Sequence, residues 1–343
     1  MRVLVVGAGA VGSFLGWAVA AGGGETTLVR RGFDGTPGAP LSLRLVRPDG
    51  TEGPVGVAVA RSVADAADAS SPDLVIVAVR QYDLPAALES LAVLPDVPLL
   101  TAQNGVGAEE VAMAARPAGT LLAASVTASV EREQDGSVRW LRRGGVALAP
   151  VRGEADTLIE GLTTMLRAAG VDVVTHKDAA AMKWSKVVAN LVANATSGLL
   201  DQDPSSIYAD PGMFEVERDQ LREVLAVMRA RGLRPVSLPG TPVPLLAFAT
   251  TLPAALARTA LGLVVGSARG GKDPSLRGAV QLGGPTEAGW LNGAVARAGA
   301  ELGVPTPVNA ALASLVEQAA ADPERRAWFR HRPDRLLEAL GRA

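Results

Sequence analysis

The sequence predicts an α/β protein in two parts, a doubly wound sheet over residues 1–177 followed by an all-α domain over 178–343. Three observations carry that reading. Short apolar runs alternate with helical stretches through the first half, as strand–helix units do. A glycine-rich turn joins the first apolar run to the first helical stretch. After His176 the strand patterns stop and helical periodicity takes over. At 343 residues the chain is also too long for one ordinary core.

Taken in order, the first expected strand is Arg2–Val6, followed by the turn Gly7–Gly12 and a helix over Ser13–Ala21. Further strands are expected at Thr26–Val29, Leu74–Val79 and Leu99–Thr101. They are short and largely apolar, which suits strands buried on both faces of a parallel sheet. Leu41–Val46 and Val55–Ala60 flank a polar segment and read as a hairpin turning at Pro48–Gly53. Ser137–Trp140, Gly145–Ala149 and Val171–Thr175 complete the strands. In the second half, 179–200 reads as one long helix and 212–232 as a second. A third covers 243–268, interrupted by prolines, with two more at 286–302 and 307–320 and a charged helical tail over 322–343. Pro242–Ala257 is uncharged but shorter than a spanning helix and carries Pro242, Pro244 and Pro253, so a buried helix is expected there and not a membrane span.

Composition narrows the function classes. Lys+Arg 33 against Asp+Glu 35 gives no field that favours nucleic acid or anionic membrane. The absence of cysteine excludes disulfides, thiol nucleophiles and cysteine metal sites, and is compatible with a reducing cytoplasm. His176 and His331 do not make a metal set. The first residues enter a strand pattern at once, so no secretory leader is expected.

Gly7-Ala8-Gly9-Ala10-Val11-Gly12 is a G-x-G-x-x-G motif between a strand and a helix, the context of a Rossmann-type dinucleotide loop. The first glycine permits the tight turn, the second lets backbone amides approach a pyrophosphate, and the third lets helix and strand pack closely. The helix N-terminus adds partial positive charge. The second strand runs into Arg30 and Arg31. An acidic residue there suits the ribose hydroxyl of NAD, whereas arginine suits the 2′-phosphate of NADP. Arg31 therefore points to NADP(H), with Asp34 as the residue that would support NAD instead. Arg80, just after the third parallel strand, is either a second contact near the adenine end or a surface residue.

On the helix after His176, Lys186, Asn190 and Asn194 are spaced i, i+4, i+8 along one stripe. A lysine and two amides on an otherwise apolar helix are costly to bury unless they face a polar cleft. Spacing alone leaves two alternatives open: a polar helix surface, and Lys183 as the functional lysine in place of Lys186.

The order of motifs resembles the ketopantoate (2-dehydropantoate) 2-reductase family over nearly the whole chain. The resemblance rests on Gly7, Gly9, Gly12 and Arg31, then Gln103-Asn104-Gly105-Val106-Gly107, then Lys186, Asn190 and Asn194. It continues through Ser275, Thr286, Glu287, Asn292 and Gly293, and a P-T-P-x-N segment at Pro305–Asn309. It implies NADPH-dependent reduction of 2-dehydropantoate to pantoate, in pantothenate and coenzyme A biosynthesis. Lys186 would be the general acid, with a change at Lys183 expected to be mild. Glu287 would orient Lys186 or reach the cofactor ribose. Asn104 would bridge nicotinamide and substrate, and Asn190, Asn194 and Ser275 would hold the substrate. Arg80 stands where the family usually has lysine. T-E-I-D becomes Thr286-Glu287-Ala288-Gly289, and the proline that often follows the second helix asparagine is Ala195. These departures leave the hydride chemistry intact and keep open the reduction of another branched 2-keto acid; a separate alternative, an NADP-binding regulator without turnover, is opposed by the presence of both Lys186 and Glu287. The apolar helices of the second half are compatible with a homodimer.

Overall fold

The computed structural model describes residues 1–33, 40–69, 71–94, 96–142, 144–268 and 274–342. Asp34 lies outside them. The chain forms two compact units, Met1–Lys183 with Leu238–Gly240, and Trp184–Ser237 with Thr241–Ala343.

The first unit begins β1 (Arg2–Val6), α1 (Ala10–Ala21), β2 (Glu25–Val29), β3 (Pro40–Val46) and β4 (Glu52–Ala60). It continues α2 (Val63–Ala69), β5 (Leu74–Val77), α3 (Leu84–Ser90), β6 (Leu99–Thr101) and α4 (Ala108–Ala115). It closes with β7 (Leu121–Val126), β8 (Ser129–Arg132), β9 (Val138–Arg142), β10 (Gly145–Arg152), α5 (Asp156–Ala168) and β11 (Asp172–Thr175). The sheet order is β11-β10-β7-β6-β5-β1-β2-β4-β3-β9-β8. Its centre, β7-β6-β5-β1-β2-β4, is parallel throughout. The chain winds one way from β1 to β4 and the other way from β5 to β7, so the strand order reverses between β1 and β5. In open α/β sheets ligands bind at that reversal, outside the carboxyl ends of the strands.

Both faces of the sheet are covered. On one, Phe14, Leu15 and Trp17 of α1 and Leu162 and Leu166 of α5 join Val3, Val5 and Ile76 of the strands. On the other, Leu84 and Leu88 of α3 and Ala108 and Ala112 of α4 pack on Leu4, Val75 and Val77. Alternate residues of one strand serve opposite layers, which is why these strands read as continuous apolar runs. The expected α/β class and doubly wound sheet are present. Two strands were not expected: β7, whose run LLAASV is buried from Leu121 to Ser125 and has a single β-branched residue, Val126, and the edge strand β8.

Helix α6 (Ala179–Leu191) supplies Lys183 to the first unit and continues into the second. The second unit then carries α7 (Ala195–Leu200), α8 (Pro204–Ala209), α9 (Pro211–Ala230), α10 (Val243–Ala249), α11 (Ala254–Ala268) and α12 (Ser275–Leu282). It ends α13 (Asn292–Leu302), α14 (Pro307–Ala321), α15 (Pro323–Phe329) and α16 (Pro333–Ala339). Starts are set by proline in the first turn, where its missing N–H is not needed, and by Asp210 and Asp322, whose carboxylates accept from Met213 N and Glu324 N. The expected helix over 179–200 is broken: Ala193 is left-handed, at φ +45°. The fully buried Glu217 carboxylate takes the Ala193 amide at 2.6 Å and the Thr196 hydroxyl at 2.8 Å. An amide captured by a buried carboxylate is unavailable to the helical ladder, so α6 stops. Among the described residues no helix is long and apolar enough to cross a membrane.

Candidate active site

Each unit contributes its own set of polar groups. In the first, β1 delivers the glycine loop to the point where strand order reverses. Gly7 has φ +107°, and a Cβ there would meet the Ala78 carbonyl at 2.9 Å, so the loop lies directly against the segment after β5. A Cβ on Gly12 would stand 1.9 Å from Gly7 O, whereas one on Gly9 would meet nothing within 4 Å. Two of the glycines therefore serve backbone packing, and the third opens the space in front of the α1 N-terminus. Ala10 and Val11 form the first turn of α1, whose leading amides lack helical partners. A backbone that approaches a pyrophosphate needs this combination, so the residues present fit a dinucleotide. Gly12→Ala is expected to push α1 off the loop and destabilise the protein by about 1–3 kcal/mol, read as a lower melting temperature.

Arg31 is exposed, 3.9 Å from the Asp83 carboxylate. Arg80 is exposed at the end of the β5 segment. Asn104 is half-buried in the loop after β6, and its carbonyl accepts from Gln81 Nε2 at 2.9 Å. Gln103 beside it is buried and donates through Nε2 to Val77 O at 2.9 Å, tying the β6 loop to the end of β5. Gly105 and Gly107 both have positive φ, which lets the loop turn sharply into α4.

Under this loop lies an ion pair that sequence spacing could not show. Lys183 Nζ stands 3.2 Å from Glu109 Oε1, with both side chains almost wholly buried. The same ammonium donates to Gln103 O at 2.7 Å and sits 3.5 Å from Ala124 O. Thr101 Oγ1 donates to the Glu109 carboxylate at 2.7 Å. Lys183 is thus fully engaged by one carboxylate and the carbonyls beneath the Asn104 loop. This burial puts the cost of losing Lys183 in stability, because the Glu109 carboxylate would keep only the Thr101 hydroxyl in place of its ammonium partner.

In the second unit, Lys186 and Asn190 are half-buried on α6. Asn194 belongs to the break after α6, so the three residues do not share one unbroken helix as expected. Its side chain is instead committed to α12: Nδ2 donates to Ser275 Oγ at 3.3 Å, and Oδ1 accepts from Leu276 N at 3.0 Å. The structure thus brings Asn194 and Ser275 together. Glu287 is buried at the turn Ala288–Trp290, where the Thr286 hydroxyl accepts from Ala288 N. The N-G and P-T-P-x-N motifs meet in a buried amide network. Asn292 Nδ2 donates to Gln220 Oε1 and Asn309 Oδ1, at 2.9 and 3.0 Å. Asn309 Nδ2 donates to the Glu223 carboxylate, which also caps α14 through the Val308 and Asn309 amides. Burial pushes the Glu223 carboxyl above its usual range despite those hydrogen bonds, which act to lower it. These motifs hold α9, α13 and α14 to one another.

Comparison with known proteins bears on both halves. Residues 3–153 match the family described as ketopantoate reductase PanE/ApbA, and residues 178–320 match its C-terminal counterpart. A 2-dehydropantoate 2-reductase of Halobacterium salinarum is 30% identical over 326 residues, covering 94% of this chain and all of that protein. A solved PanE/ApbA family ketopantoate reductase from Ralstonia eutropha JMP134 superposes with a TM-score of 0.75 at 26% identity, over 95% of this chain and all of that one. D-mandelate dehydrogenase, solved with NADH and anilino(oxo)acetate, shares the fold with a TM-score of 0.74 at 19% identity, over 93% of this chain and 98% of that one.

Proposed function

This chain belongs to the ketopantoate reductase family, oxidoreductases acting on CH–OH groups, and on that premise we propose that it reduces 2-dehydropantoate to pantoate with NADPH. The observation that carries the reading is the glycine loop at the strand-order reversal of the first unit, where the Gly9 face is open in front of the α1 amides; Lys186, half-buried on α6, is the lysine assigned to the substrate.

The cofactor is a nicotinamide dinucleotide, and when bound it supplies the hydride that adds to the C2 carbonyl carbon. The α1 amides and the open face of Gly9 hold its pyrophosphate. Lys186 Nζ hydrogen-bonds to the carbonyl oxygen, stabilises the negative charge that develops there, and donates the proton that completes the hydroxyl. Glu287 orients Lys186 or binds the cofactor ribose. Asn194 and Ser275, already joined to each other, bind the substrate with Asn190, and Asn104 spans substrate and nicotinamide. In this proposal residues 1–177 hold the cofactor, with Arg31 and Arg80 at its adenine end, and residues 178–343 hold the substrate. The reaction is placed in the cytoplasm, as a step of pantothenate and coenzyme A synthesis, with the protein as a homodimer that light scattering would detect.

A panel of 2-keto acids assayed with NADPH and with NADH tests the reading. The expected result is oxidation of NADPH on adding 2-dehydropantoate, at the highest kcat/KM of the panel. A second branched 2-keto acid as best substrate would favour the alternative that Ala288 and Gly289 keep open, since they replace an apolar and an acidic residue beside Glu287. Binding of NADPH with no oxidation by any member of the panel would leave a regulator and end the enzyme proposal.

A further inference from the structure

Helix α6 stops at Leu191 and α7 begins at Ala195, so Asn194 stands in the short break between them. Within that break Ala193 has φ +45°, a left-handed conformation that is strained for a residue with a Cβ. Helix α9 holds both sides of the break. Glu217 Oε2 accepts from Ala193 N at 2.6 Å, and Glu217 Oε1 accepts from Thr196 Oγ1 at 2.8 Å, so its carboxylate brackets Asn194 in sequence. Tyr208 Oη adds a third donor, 3.4 Å from Glu217 Oε2. Gln220, on the same face of α9, donates through Nε2 to Leu191 O, the last carbonyl of α6, at 3.3 Å. Glu217 and Gln220 are both fully buried.

Burying a carboxylate is costly, and an apolar side chain of similar size would fill the inner face of α9 without that cost. An apolar side chain, however, accepts no hydrogen bond. Without an acceptor on α9, the Ala193 amide would find its partner in the helical ladder, at the carbonyl of Ala189. Helix α6 would then run on and keep Asn194 on the stripe of Lys186 and Asn190. In the structure Asn194 leaves that stripe. Its Nδ2 donates to Ser275 Oγ at 3.3 Å, and its Oδ1 accepts from Leu276 N at 3.0 Å.

We propose that Glu217 is a positioning residue of the substrate site: by holding the Ala193 amide and the Thr196 hydroxyl, it turns Asn194 out of α6 and onto Ser275. The inference rests on the reading above, in which Asn194 and Ser275 bind the keto acid. Glu217 acts through the backbone of the break and takes no part in the chemistry.

Three changes at Glu217 test this. Glu217→Leu keeps similar bulk and removes both acceptors. It is expected to raise KM for 2-dehydropantoate roughly tenfold or more, since a misplacement of about 1 Å is enough for such a loss. Its kcat is expected to stay within about threefold, and its dissociation constant for NADPH within about twofold, because Lys186 and the glycine loop are untouched. Glu217→Gln offers an acceptor to Ala193 N and a donor to Thr196 Oγ1, so it is expected to hold KM within about threefold of wild type. Should Glu217→Leu fail to fold, Glu217→Asp keeps the charge one methylene short of both donors, and is expected to raise KM roughly threefold or more. A crystal structure of the Leu or Asp variant is expected to show Asn194 drawn away from Ser275 Oγ. Variants that melt early but keep the wild-type KM and the Asn194–Ser275 contact would overturn the proposal and leave Glu217 with a packing role. If the wild type itself turns over no 2-keto acid, the substrate reading fails, and the variant crystal structure alone decides whether Glu217 places Asn194.

Discussion

Lys186→Ala is expected to lower turnover about 10²–10⁴-fold, the usual contribution of a positioned general acid. Dinucleotide affinity, followed by fluorescence titration, is expected to stay near that of wild type. The reasoning is local. Reduction of a ketone creates an alkoxide, and an ammonium beside that oxygen both stabilises the charge and supplies the proton. Alanine removes both effects. Lys186 is half-buried on α6 with its neighbours Val187 and Val188 packed in the core, so truncation leaves the helix seated. The melting temperature separates this role from a structural one, since it is expected to stay near that of wild type. A variant that kept turnover would remove Lys186 from the chemistry.

Lys183→Met is expected to act through stability instead. Removing one partner of a buried ion pair typically costs about 3–5 kcal/mol, because the remaining charge stays desolvated and unpaired. Here the stranded group is Glu109, whose other polar contact is the Thr101 hydroxyl. Urea unfolding followed by tryptophan fluorescence reads the loss. The double variant Lys183→Met/Glu109→Leu removes both charges together and is expected to recover much of it. If Lys183→Met and the double variant were equally destabilised, the defect would lie in lost packing and not in the abandoned carboxylate. The two lysines, one helical turn apart, thus separate by measurement: one change lowers rate, the other lowers stability.

Much of the first unit was legible because its strands are apolar on both faces and its first loop is written in glycine. β7 escaped notice for a physical reason. It lies between β6 and β10, where Ala123 and Ala124 are fully buried, and Val126 is the one β-branched residue of its six, so the β signature is weak. The end of α6 was equally hidden. The group that stops it, Glu217, is 24 residues away in sequence from Ala193, and its own helix gives no sign that it points inward. Lys183 and Lys186 differ by burial, which periodicity alone does not resolve on a helix that is apolar around most of its circumference. Arg132 meets the glycine loop at Ala8 O across 124 positions of sequence, a contact only the place of the β8–β9 hairpin in the sheet creates.

The two ends of the sheet bear on how the protein behaves in concentrated solution. An open sheet presents unpaired amides and carbonyls along its outer strands, and another chain can add to them in register. Here the outermost strands, β8 and β11, are only four residues each. They carry Glu131 and Arg132 at one border and Asp172 at the other. Short charged borders make a poor template for strand addition, so the two ends of the sheet work against edge-to-edge stacking of copies into fibrils.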